Sequence, residues 1–311
     1  MGGDARGLWG ARGRIWLAGD RANHTDDVVV RLKTTVAAVA VLAAGVYGLA
    51  VSQLPIIGAG GLLHPARHAV VRPAPETCQD VAYAGAGVGL KGWTCRASGR
   101  SRGTLVYLHG VADNRTSAAG LIERFGRRGF DVVAYDSRAH GESDGEACTY
   151  GFFEKQDLRR VLDTIASGPI VLFGTSLGAA VALQAAAEDR RVSAVVAVET
   201  FSDLRTVAME RAPFFFTRWI VGRAFELAEQ QGRFQVDAVS PVIAAERIAV
   251  PVLLIHGAAD SETPPDHSKR VFAALKGEKR LIIVPGAGHN GSLRAEVWDE
   301  IERWIDAAVF P

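Results

Sequence analysis

Residues 169–180 read Pro169-Ile170-Val171-Leu172-Phe173-Gly174-Thr175-Ser176-Leu177-Gly178-Ala179-Ala180. A β-branched and aromatic run, short enough for a strand buried on both faces, leads into Gly-x-Ser-x-Gly and then into an alanine-rich helical stretch. Between a strand and a helix, this pentapeptide forms a tight turn that strains the serine backbone and exposes its hydroxyl. The glycines leave room for neighbouring backbone. Ser176 would also stand at a helix N-terminus, whose dipole favours developing negative charge. It is the candidate nucleophile.

A serine nucleophile needs a base held by a carboxylate, and with this turn the chain order is serine, acid, histidine. Downstream, Val-Pro-Val-Leu-Leu-Ile-His-Gly-Ala-Ala-Asp carries Asp260 just past a strand, with Glu262 and Asp266 as alternatives further along the loop. The last apolar run, Leu-Ile-Ile-Val-Pro-Gly-Ala-Gly-His-Asn, ends at His289. His109 and His256 each end a strand before a glycine and read as structural. An oxyanion needs two donors: the Leu177 amide, and the Val111 amide after His109-Gly110.

The surroundings repeat one pattern. Apolar runs at 104–108, 132–135, 170–173, 195–198, 252–255 and 281–284 mostly alternate with helical stretches at 116–128, 152–166, 177–188, 265–275 and 293–308. That rhythm predicts an α/β fold, a mostly parallel sheet with helices on both faces and its site at the strand carboxyl ends. One connection is far longer than a crossover needs, and residues 200–248 are expected to form a helical cap. Phe214, Phe215, Phe216, Trp219, Phe225 and Phe234 concentrate there and are expected to line the site with apolar side chains.

Together, His-Gly-Val-Ala-Asp-Asn, Asp-Ser-Arg-Ala-His-Gly-Glu-Ser-Asp-Gly, Gly-Thr-Ser-Leu-Gly, His-Gly-Ala-Ala-Asp and Gly-Ala-Gly-His make residues 79–308 resemble the α/β-hydrolase superfamily. Within it the chain is similar to membrane-anchored ABHD-like (Bem46-type) and related bacterial serine hydrolases, including the phrase Tyr-Gly-Phe-Phe-Glu-Lys-Gln-Asp-Leu-Arg-Arg-Val-Leu-Asp. The resemblance implies a glycine where Ala139 stands and an asparagine in many members where Val111 stands; both departures bear on substrate preference. It leaves Ser176, Asp260 and His289 as the expected triad. A carboxylic ester or thioester with a hydrophobic, lipid-like acyl group is the expected substrate, without cofactor or metal. A serine peptidase is the alternative, for which Glu199, Asp203 and Glu210 could capture a free amino terminus; a non-catalytic tethered binder is the third reading.

The amino-terminal region is of another kind. Thirty residues between Lys33 and His64 carry no charge, so 34–63 is expected to be a transmembrane anchor, with a cleavable signal as the rival through the small residues Ala50-Val51-Ser52. Arg14, Arg21, Arg31 and Lys33 before the run outnumber Arg67 and Arg72 after it, which predicts the N-terminus inside and a hydrolase domain of 70–311 outside. Residues 1–33, rich in glycine and arginine without periodicity, are expected to be a poorly ordered leader. The 35 basic and 34 acidic residues of the 311 leave a net charge of +1, which argues against nucleic acid as a partner. The three cysteines match no zinc pattern. In a hairpin turning at 85–87, Cys78 would face Cys95 and could bond to it in an oxidising compartment, leaving Cys148 alone.

Overall fold

The computed structural model describes Met1 and residues 20–310, which divide into two units, Met1–Gln53 and Leu54–Pro311. In the first unit the described residues from Asp20 onward belong to a helix, α1 (Asp20–Leu63), which is long and apolar enough to cross a membrane. Its side chains from Asp26 to Ala50 are exposed. Residues 20–33 of the leader expected to be poorly ordered lie in this helix; a helix already nucleated by the apolar run extends at little cost per residue. For residues 2–19 that expectation lies outside the described residues.

The second unit opens with the last ten residues of α1. Ala59 and Leu63 are fully buried among Phe201, Leu204, Phe225 and Phe234. The second unit therefore begins at Leu54, upstream of the residue 70 expected for the domain, because these turns give their apolar face to protein.

Eight strands form one sheet: β1 (Cys78–Ala84), β2 (Gly89–Cys95), β3 (Gly103–Leu108), β4 (Phe130–Tyr135), β5 (Ile170–Thr175), β6 (Val192–Val198), β7 (Val252–Gly257) and β8 (Lys279–Val284). Their order is β1-β2-β4-β3-β5-β6-β7-β8. The β1–β2 and β2–β4 pairs are antiparallel and the others parallel. Cys78 pairs with Cys95 across the hairpin and the two are disulfide-bonded, while Cys148 is free and buried.

Strands β3 and β7 are buried along their whole length, in keeping with their mostly apolar sequences. On one face pack α2 (Ala119–Arg127) and α9 (Ala295–Val309), through Phe125, Ile301 and Trp304. On the other lie α3 (Glu154–Leu162), α4 (Leu177–Ala186) and α8 (Asp266–Ala274), through Leu158, Leu183 and Val271. Each fully buried leucine or valine contributes roughly 1.5–3 kcal/mol.

The insertion holds α5 (Leu204–Glu210), α6 (Arg218–Gly232) and α7 (Pro241–Ala245). Asp203 caps α5 by accepting from the Thr206 amide, and Thr217 caps α6 from Ile220. Ser240 and Pro241 start α7, whose Ala245 joins the sheet-facing core with Ile248. The aromatic residues do not all turn inward as expected: Phe216 and Phe225 reach the cavity, Phe234 packs in the core beneath, and Phe214, Phe215 and Trp219 are exposed. An aromatic count does not say which face of a segment is covered.

Candidate active site

Strand β5 delivers Ser176 at φ 49° and ψ −111°, a positive-φ conformation that L-residues rarely adopt. The turn is possible because Gly174 and Gly178 have no side chains. A Cβ on Gly178 would lie 2.0 Å from the Leu108 carbonyl oxygen, and one on Gly174 would lie 2.3 Å from the Gly178 carbonyl. The Ser176 amide donates to Val198 O at 2.8 Å, fixing the turn against β6.

After β8, a turn through Gly286 (φ 67°) brings His289 over the serine. His289 Nε2 is 3.1 Å from Ser176 Oγ, and His289 Nδ1 is 2.7 Å from Asp260 Oδ2. Those partners assign the proton to Nδ1 and leave Nε2 as acceptor. Asp260 follows β7, and its Oδ1 accepts from the amides of Glu262 (3.0 Å) and Thr263 (2.9 Å). Burial raises its pKa, but hydrogen bonds from His256, His289 and the Thr263 amide outweigh that and hold it below the usual carboxylate range. Of the alternatives, Glu262 offers Asp260 its amide and turns its carboxylate to Arg211, and Asp266 pairs with Lys269.

Both histidines read as structural are so placed. His109 Nδ1 bonds Gly110 O at 2.7 Å and its Nε2 accepts from the Ser137 amide at 2.9 Å; burial lowers its pKa. His256 bonds Ser268 Oγ and Thr263 O, both at 2.7 Å, and stands 3.2 Å from Asp260 Oδ2. His109 thereby holds the loop that carries Val111. A Cβ on Gly110 would be 3.6 Å from Ser176 Cβ, so that loop passes directly beside the serine. Leu177 is the first residue of α4, where an amide has no helical carbonyl to meet. Val111 and Leu177 both line the same cavity as Ser176.

A second carboxylate, which the sequence suggested only as part of an acidic cluster, meets the histidine loop. Glu199 follows β6 at φ 56° and is buried, with Oε2 3.8 Å from His289 Nδ1. It accepts from the Asn290 amide and from Ser292 Oγ. An acid directly after a buried strand was the available signal. The donor atoms of Glu199, Asp260 and His289 lie within 4.8 Å of one another, a spacing open to a cation. Here that space is taken up by hydrogen bonds, since the His289 Nδ1 proton bridges to Asp260 and Glu199 is occupied by its loop. Asp203 caps α5 and Glu210 bonds His267, so the acidic cluster is already engaged.

Ser176 opens into a cavity of about 490 Å³, within the range of small-ligand sites. Its walls include Phe216 and Phe225 of the insertion and Ile57, Gly58, Gly61 and Leu62 of α1. This lining is predominantly apolar.

A model of the α/β hydrolase fold matches residues 103–226, and one described as PhoPQ-activated pathogenicity-related protein matches residues 226–309. Over 277 residues the chain is 30% identical to the uncharacterized protein Rv2307c of Mycobacterium tuberculosis, covering 84% of this chain and 89% of that one. The chain belongs to the α/β-hydrolase superfamily. Solved members share the fold. The Pyrococcus furiosus esterase Pf2001 superposes with a TM-score of 0.67 at 22% identity, over 80% of this chain and 98% of that one. The acylaminoacyl peptidase of Pyrococcus horikoshii superposes with a TM-score of 0.61 at 17% identity, over 75% of this chain and 41% of that one. In this α/β-hydrolase, Ala139, where the resemblance implies a glycine, is held at φ 61°. The loop keeps a glycine-like backbone without the glycine.

Proposed function

We propose that the protein is a serine hydrolase that cleaves carboxylic ester or thioester bonds of apolar acyl groups through an acyl-enzyme. The observation that carries this reading is the Ser176–His289–Asp260 hydrogen-bonded chain opening into an apolar cavity. His289 Nε2 takes the Ser176 proton as Oγ attacks the acyl carbon, and Asp260 stabilises the imidazolium that forms. The Val111 and Leu177 amides receive the oxyanion, each worth about 3 kcal/mol on the scale of single-donor removals. His289 then protonates the departing alkoxide or thiolate. Water repeats the sequence with His289 as base, releasing the acid and restoring Ser176.

The peptidase reading loses support because Glu199, Asp203 and Glu210, the groups that would bind an amino terminus, already hold other partners. In the same proposal α1 tethers the enzyme to a membrane with its catalytic unit outside, in keeping with the cation excess before the span and with a disulfide that persists in oxidising compartments. Membrane anchoring, though not its orientation, is also what the resemblance to Bem46-type hydrolases implies.

Fluorophosphonate labelling of the full chain in detergent tests the activity. Wild type is expected to label and Ser176→Ala not to, after which a chain-length series of p-nitrophenyl esters measures the acyl preference. A folded wild type that does not label refutes the proposal.

A further inference from the structure

The uncharged run has thirty residues, 34–63, of which the last ten belong to the hydrolase unit. The remaining twenty match the roughly 20 helical residues, at about 1.5 Å each, that cross a hydrocarbon layer of about 30 Å. If 34–53 spans the bilayer, Leu54 is the exit residue. Ile56 and Ile57, within one turn of that exit, are 50% and 61% exposed.

The insertion presents its own apolar surface at this place. Phe214 is 99% exposed, Phe215 52% and Trp219 64%. They flank Phe216, whose ring edge would lie 3.0 Å from a Cβ on Gly58. Phe214 and Phe215 thus continue, ring to ring at 5.4 Å, from the Phe216 that meets α1 at Gly58, and Arg218 and Trp219 are exposed beside them in sequence. Aromatic rings beside a basic residue suit the headgroup layer, where an amphipathic ring has one end apolar and the other wet. In water the same surface is a liability. Ile57, Gly58 and Leu62, which wall the Ser176 cavity, come three, four and eight residues after the exit residue.

We infer that Phe214, Phe215 and Trp219, with Ile56 and Ile57, seat the cap in the bilayer interface, so that the Ser176 cavity takes its acyl chain from a membrane lipid ester. The seating stands on the anchor reading and this exposed surface; the loading rests on the hydrolase proposal. The tether favours a bilayer over a second copy of the chain, because covalent attachment already brings this surface to the membrane.

The test uses the full chain reconstituted in phosphatidylcholine–phosphatidylglycerol vesicles. Phe214→Cys carries an environment-sensitive fluorophore; the native thiols do not compete, since Cys78 and Cys95 are bonded and Cys148 is buried. Lipids spin-labelled near the headgroup are expected to quench the label at 214 and to spare one at Glu278→Cys, an exposed position leading into β8 at the opposite ends of the strands. Equal quenching at both positions, quenching at neither, or self-quenching that grows with protein density would overturn the seating. In parallel, the F214S/F215S/W219S variant is expected to hydrolyse a vesicle-borne long-chain ester about tenfold more slowly, as lost interfacial burial implies. It should label with fluorophosphonate and cleave water-borne p-nitrophenyl butyrate at wild-type rates. Wild type that labels normally while position 214 goes unquenched refutes the seating and leaves the hydrolase standing. Quenching at 214 without fluorophosphonate labelling supports the seating and overturns the loading together with the hydrolase.

Discussion

Replacing Asp260 by asparagine changes one atom, and the surrounding donors dictate the consequence. Oδ1 accepts from two backbone amides, Glu262 at 3.0 Å and Thr263 at 2.9 Å, while Oδ2 accepts from His289 Nδ1 at 2.7 Å. An asparagine has one accepting and one donating end. Turning its NH2 toward the two amides would set donors against donors, so its oxygen stays there and its NH2 faces His289. The imidazole must then accept at Nδ1 and carry its proton on Nε2, the atom 3.1 Å from Ser176 Oγ. A nitrogen already holding a proton cannot take the serine's. The expected loss in kcat is about 10⁴-fold, or about 5.5 kcal/mol of barrier, as for a triad histidine locked in the wrong tautomer. The assay is the rate of fluorophosphonate labelling and of ester turnover, with circular dichroism matching wild type. A rate within about tenfold of wild type, well short of a tautomer defect, would refute the reasoning. It would make Glu199, 3.8 Å from His289 Nδ1, the carboxylate that orients the base.

Three further outcomes follow from the geometry. Gly178→Ala would put a methyl 2.0 Å from the Leu108 carbonyl, so the variant should lose labelling and unfold at lower temperature; wild-type thermal stability would show that the turn can open. Burial, and then the neighbouring His109, push the His140 pKa down to about 4, whereas the unfolded residue titrates near 6.5. The unfolded state therefore binds more protons in that window. Stability should fall by about 2 kcal/mol between pH 7 and pH 5 on this residue's account, and the slope measured by denaturant unfolding should flatten in His140→Phe. Cys78→Ala with Cys95→Ala opens a link across a sequence separation of 17 and should cost about 3 kcal/mol, read in the same assay; an unchanged midpoint would mean the hairpin holds without it.

Most of the sheet could be read from the chain because its parallel strands are covered on both faces and must be apolar throughout. The placement of Asp260 and His289 beside Ser176 could be read because the order of strands confines each candidate to one strand end. The Cys78–Cys95 register followed from the turn between them. Two features could not be read this way. An uncharged run is equally apolar against lipid and against protein, so residues 54–63 looked like membrane helix although Ala59 and Leu63 are core residues of the hydrolase unit. Phe216 and Trp219 are three residues apart, yet one lines the cavity and the other is exposed; local pattern does not distinguish them when the covering partner comes from residue 58.

The placement of the last turns of α1 also decides where the chain can be cut. A cut after the small residues Ala50-Val51-Ser52 falls two residues before Leu54, so a freed enzyme would carry its whole pocket wall with it. Trimming to residue 70 would instead strip Ile57, Gly58, Gly61 and Leu62 from the cavity. It would also remove the Leu63 carbonyl from the Cys148 amide and the Leu62 carbonyl from the Tyr150 hydroxyl. Under the proposed anchoring, release from the membrane and an intact cavity wall are thus compatible, provided the scissile bond lies upstream of Leu54.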